Sequence, residues 1–155
     1  MRGKAAKQRQ LRKDPKYGSQ LVTRFISQIM HDGKRQKAEK IFYAAMEKGA
    51  KNVKVDPMDF LNQAVDNVRP SLEVKSRRVG GANYQVPVPV SGERQEALVV
   101  RWIVGITRKN SGDSFDKLLE RQLMDAFNNA GEAVKKKEEV ERMAEANKAF
   151  AHFRW

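Results

Sequence analysis

The sequence predicts a mainly α fold: a single domain of about six helices, a protruding basic two-stranded β-hairpin, and a flexible basic N-terminal arm. Three observations carry this. Apolar residues recur at helical spacing through most of the 155 residues. One stretch, Glu73 to Val90, breaks that rhythm with basic residues, a Gly80-Gly81 pair and valines alternating with prolines. The charge is also uneven. Of a net +12, residues 1–16 hold seven basic groups and one acidic, a net +6, and residues 69–109 hold eight basic and three acidic, a net +5.

Residues 1–16 are polar and nearly free of large apolar groups, so they cannot form a core and read as an arm. Arg2, Lys4, Lys7, Arg9, Arg12, Lys13 and Lys16 make it a candidate grip on a polyanion, the alternative being a solvated tail without a partner. Ser19 is placed to cap a first helix whose stripe is Leu21, Val22, Phe25, Ile26, Ile29 and Met30, and Asp32-Gly33 stops it. A second helix is expected from about Lys34 to Lys48, with Ala38, Ile41, Phe42, Ala45 and Met46 inward and Gly49 ending it. Asp56-Pro57 opens a third, a carboxylate cap followed by proline at the first helical position, and Pro70 closes it. After the hairpin, over residues 73–90, Ser91-Gly92 opens a fourth helix reaching about Lys109. Asp113 or Ser114 caps a fifth, which Gly131 breaks. Residues 132–155 read as a last helix and tail, with Val140, Met143, Ala146, Phe150 and Phe153 as its stripe. No linker divides the 155 residues into two domains.

Several function classes are disfavoured. Zero cysteines exclude disulfides and thiolate-ligated metals, and fit a reducing cytoplasm. No apolar run approaches the ~18 residues of a membrane span, and no apolar leader is expected. The two histidines, His31 and His152, have no motif around them, and Lys135-Lys136-Lys137-Glu138-Glu139 reads as helical ion pairing rather than an acid–base site. Neither a catalytic nor a metal site is expected, nor a cofactor or a small-molecule substrate. The excess of positive charge points to nucleic acid, because each neutralised phosphate releases counterions.

Within the hairpin, Pro87 and Pro89 lie two residues apart, so their missing amides fall on one strand edge and the other edge remains free to pair. At ~3.3 Å per residue, eight residues per arm reach roughly 25 Å. Val74, Val86, Val88 and Val90 are placed to join the core, with Arg77, Arg78, Gly80 and Gly81 toward the tip and Lys75 a further candidate RNA contact on the same arm. Tyr84 is placed either to stack on a base or to pack on Val79. In the fourth helix Arg94, Arg101 and Arg108 recur every seven residues, with Gly105 on the same face. They form either a stripe suited to a phosphate backbone or three unrelated surface arginines.

Asp14-Pro15-Lys16-Tyr17-Gly18-Ser19, His31-Asp32-Gly33-Lys34, Asn67-Val68-Arg69-Pro70, Val74 through Gly81, Tyr84-Gln85-Val86-Pro87-Val88, Arg101-Trp102-Ile103 and the ending Arg142 to Trp155 occur in order. Together they closely resemble the bacterial branch of the small-subunit ribosomal protein seven family, over essentially everything from Gln10 onward. The resemblance implies a helical body with an extended hairpin, in the cytoplasmic ribosome. It implies primary binding to the 3′ major domain of 16S rRNA, nucleating head assembly, with the hairpin near exit-site tRNA and mRNA. Small-subunit ribosomal proteins nine and eleven are the expected neighbours. Lys34, Arg35, Arg69, Lys109, Arg142 and Arg154, inside or beside these motifs, join the candidate RNA contacts. The alternative is an architectural DNA-binding protein with a β-ribbon arm in the minor groove.

Overall fold

In the computed structural model, residue 3 and residues 11–153 are described. The candidates Arg2, Lys4, Lys7, Arg9 and Arg154 lie outside them. The order is α1 (Gln20–Ile29), α2 (Arg35–Val53), α3 (Pro57–Val68), β1 (Leu72–Val79), β2 (Ala82–Pro89), α4 (Gly92–Lys109), α5 (Phe115–Phe127), α6 (Gly131–Ala146) and a C-terminal 3₁₀ turn (Lys148–Phe153). The mainly helical architecture with one hairpin is as expected. All six helices feed one hydrophobic core.

The helix signals act through local chemistry. The Asp56 carboxylate accepts from the Met58 amide at 2.9 Å with Pro57 behind it. Asp32 and Gly33, at φ 51° and 71°, turn the chain out of α1. Leu21, Val22, Phe25, Ile26 and Ile29 are buried as a stripe, with Met30 packed against the core.

Other expectations fail: Ser19 and Ser114 stand at the N-cap positions of α1 and α5 but make no side-chain cap bond, and two helix ends differ. Gly49 does not end α2, which continues to Val53 before Lys54 turns left-handed at φ 59°. Gly49 is there for packing: a Cβ on it would lie 2.7 Å from the ring of Phe60, so α2 and α3 approach more closely than a side chain permits. The last helix also stops earlier than its stripe suggested. Asn147 folds back so that its side-chain amide donates to the Met143 carbonyl at 2.7 Å, and the chain tightens into the 3₁₀ turn. The buried face of α6 is Ala133, Val134 and Ala144, and Met143 is 42% exposed. Phe150 and Phe153 leave the helical stripe and pack on the hairpin instead.

The hairpin pairs in the register Leu72↔Pro89 through Val79↔Ala82, closed by Gly80 and Gly81 at φ 58° and 91°. Both values favour glycine, as a two-residue turn matched to the strand twist requires. The Val90 amide donates to the Ser71 carbonyl at 3.2 Å, so the even-numbered amides of β2 face β1. Pro87 and Pro89 therefore lie on the outer edge, where a missing donor costs no ladder bond. Val86 and Pro87 are buried, whereas Val74, Val88 and Val90 are only half-buried.

Candidate nucleic-acid interface

The hairpin is fixed at its base by charge. Glu73 is buried and accepts from Arg94 through Nε and Nη2, at 3.2 and 3.1 Å, and pairs with Lys75 at 3.2 Å. Burial alone would raise the Glu73 carboxyl, but bonds from Lys75 and Arg94 outweigh it and hold the group below the usual carboxylate range. On the neighbouring loop, Glu141 of α6 accepts from the Ser71 amide at 3.0 Å and its hydroxyl at 2.8 Å. That carboxyl is likewise held low: these bonds and Lys137 overcome the larger upward pull of burial.

Further out, Tyr84 packs against the C-terminal turn. Its ring lies 5.2 Å from Phe150 and 4.9 Å from Phe153, both from the C-terminal turn. Arg77, opposite Tyr84 in the register, donates from Nη1 to the Phe153 carbonyl. Arg78 points away from this cluster, is exposed, and has no polar partner among the described residues.

The arginine stripe of α4 divides into three roles. Arg94 holds Glu73. Arg108 donates from Nη2 to the Gln28 carbonyl at 2.7 Å, capping the C-terminal end of α1, where a cation is favoured. Arg101 alone is without a polar partner among the described residues. It lines an open hollow of about 370 Å³ between α4 and α6, with Trp102, Gly105, Lys109 and Lys135. A Cβ at Gly105 would meet nothing within 4 Å, so the glycine does face open space, as expected. The rim carries both signs: Glu132 and Glu139 of α6 line it beside Lys135 and Lys136, and the sequence did not show this because which α6 side chains border α4 depends on how the two helices pack.

The arm's last residues are not free chain. Asp14 is 2% exposed: its Oδ2 accepts from the amides of Lys16 and Tyr17 at 3.0 and 2.9 Å, and its Oδ1 from the Tyr43 hydroxyl at 2.6 Å. Glu47 accepts from Lys16 and from Tyr17. This knot fastens residues 14–17 to α2, correcting the expectation of a loose arm up to Lys16. Arg12 and Lys13 just before it are exposed, and Thr23 holds the Arg12 carbonyl at 2.9 Å. At the α1–α2 corner, Lys34 pairs with Asp32 at 3.6 Å and Arg35 with Glu39 at 2.7 Å. Arg69 bridges Asp66 and Glu96, each at 3.3 Å.

The sequence candidates thus separate into two groups. Arg12, Lys13, Arg78, Arg101, Lys109 and Arg142 are exposed, with no polar side-chain partner among the described residues. Lys16, Lys34, Arg35, Arg69, Lys75, Arg77, Arg94 and Arg108 are held by the protein. Most of these holds are partly exposed ion pairs worth about 0–1 kcal/mol, which a phosphate can replace.

A helical body with a braced basic hairpin and scattered free cations has recognisable relatives. The family described as ribosomal protein S7p/S5e matches residues 1–148. The chain belongs to that family. Among its relatives, a protein of Treponema denticola named small ribosomal subunit protein uS7 is 52% identical over 154 residues, 99% of each chain. Proteins of the same name from Thermosipho africanus and Bartonella tribocorum are 51% identical over 155 residues and 48% over 150. These alignments span 100% of both chains in the first case, and 97% of this chain and 96% of the relative in the second.

Proposed function

We propose that this protein is a structural RNA-binding component of the small ribosomal subunit, not an enzyme, working in the cytoplasmic ribosome. Family membership across nearly the whole chain carries that reading. More finely, it is a primary binder of the 3′ major domain of 16S rRNA, whose docking nucleates the subunit head. Its hairpin lies near exit-site tRNA and mRNA, with small-subunit ribosomal proteins nine and eleven as neighbours. The exposed Arg12, Lys13, Arg78, Arg101, Lys109 and Arg142 support this, because they supply phosphate-neutralising charge from the segment before α1, from the hairpin, and from α4 and α6. Arg2, Lys4, Lys7, Arg9 and Arg154 extend the same grip. Lys135, on the rim of the α4–α6 hollow, adds to it.

The test is filter binding to a transcript of the 3′ major domain, with duplex DNA as competitor. Six or more phosphate contacts predict an affinity loss on the order of 10³-fold or greater between 50 and 200 mM salt. Affinity that barely moves over that range would show that phosphates are not the grip. Duplex DNA competing as well as the transcript would favour the architectural DNA-binding reading.

A further inference from the structure

The hairpin's two faces differ sharply. Residues directly opposite in the register share a face, so in the half nearer the turn Arg77, Tyr84, Val79 and Ala82 lie on one side, and Ser76, Gln85, Arg78 and Asn83 on the other. On the first side Arg77, Val79 and Tyr84 are half-buried, with Tyr84 against Phe150 and Phe153 and Arg77 on the Phe153 carbonyl, and Ala82 at the turn is exposed. All four residues of the second side are exposed, and none of their side chains bonds to a described residue.

We propose that the open side, Ser76, Arg78, Asn83 and Gln85, is the face with which the hairpin reads RNA, and that the C-terminal turn is a brace fixing the ribbon from behind. This rests on the RNA-binding reading above and names the residues that give it specificity. The chemistry of the open face is unlike that of the rest of the basic surface. Asn83 and Gln85 each carry two donors and an acceptor, a set that matches a base edge rather than a phosphate. Arg78 beside Asn83 supplies the fork that holds a neighbouring phosphate or guanine. Base edges are presented to such side chains by unpaired nucleotides, because the A-form major groove is too deep and narrow to read. The partner is therefore an RNA segment with unstacked bases.

The brace is needed because a two-stranded ribbon is marginally stable by itself in water. The rings of Tyr84, Phe150 and Phe153 and the Arg77 guanidinium hold it at the third residue pair from the turn. A ribbon already fixed loses less conformational freedom on binding. Phe150 and Phe153 are thus positioning residues, and Arg77 and Tyr84 belong to the brace.

The experiment uses the full chain and compares the 3′ major domain transcript, deacylated tRNA and a scrambled RNA of equal length. N83A/Q85A is expected to weaken binding to the transcript or the tRNA on the order of 10-fold, whichever carries the recognised segment. Binding to the scrambled RNA and the salt dependence should stay unchanged, since no phosphate contact is removed. F150A/F153A is expected to speed hydrogen exchange of the β1 and β2 amides and weaken specific binding, with helical circular dichroism intact. F150Y/F153Y should restore both. If N83A/Q85A keeps the full preference for both natural RNAs, the assignment is wrong. It is equally wrong if F150A/F153A tightens binding, because the covered side would then be the RNA face. A wild-type protein that binds duplex DNA as well as either RNA overturns the functional reading itself, and this assignment with it.

Discussion

The helical body and the hairpin are held together by different physics. In the body, Phe25, Phe42, Phe60 and Leu119 are completely buried, and Gly49 lets α2 and α3 come close enough for Phe60 to fill the gap. The hairpin buries little beyond Val86 and Pro87 and is fixed by Glu73, Glu141 and the C-terminal rings. Burial makes the body cooperative and insensitive to modest changes of pH or salt. Polar ties leave the hairpin addressable by solvent conditions. Under the proposed RNA-binding role, the body supplies a fixed geometry and the hairpin is the element it offers to RNA.

The comparison is broken most severely from the body's side. Phe60→Ala is expected to lower global stability by about 3–5 kcal/mol in urea unfolding, because the ring is wholly buried and packs 5.3 Å from Phe127. A loss under about 1 kcal/mol would show the α2–α3 contact to be loose. Gly49→Ala should cost about 1–3 kcal/mol by overpacking, even though alanine is the better helix former. A stabilised variant would mean that the Phe60 ring can move aside.

The smallest effect sharpens the comparison from the hairpin's side. Glu73 and Glu141 have folded pKa values below their unfolded ones, so their contribution is fully present above about pH 5 and is lost as pH falls through the folded values. Amide protection in β1 and β2 should therefore fall as the pH drops below about 5, before that of α2 and α3 does. Glu73→Gln should remove part of this pH dependence while changing global stability by under about 1 kcal/mol. Equal loss of protection in body and hairpin would show that the two are one cooperative unit.

Much of this was legible in the residues. The α1 stripe, the Asp56-Pro57 start and the glycine turn between basic and proline-bearing strands are local signals, and local signals survive folding. The same reasoning misread Gly49 as a helix end, because glycine marks both chain turns and close approaches, and only the position of Phe60 distinguishes them. It extended α6 through Phe150 and Phe153 because a 3,3,4,3 apolar spacing looks helical whatever the rings finally touch. The candidate site was legible as a set of cations and not as an arrangement. Arg94, Arg101 and Arg108 share a face, yet one holds the hairpin, one faces an open hollow and one caps α1.

The sequence by itself determined the helical class, the hairpin with its closed turn and proline edge, the two zones of positive charge, and the family. Each of these depends on residues near one another in the chain, or on sums over it. Tertiary structure alone decided which cations are occupied by carboxylates and carbonyls, that Asp14 ties the base of the arm to Tyr43, and that the C-terminal rings cover one side of the ribbon. The long-range ones, from Arg94 with Glu73 to Arg108 with Gln28, join residues 21 to 80 positions apart, and no local pattern specifies which distant partner a charge or a ring will meet.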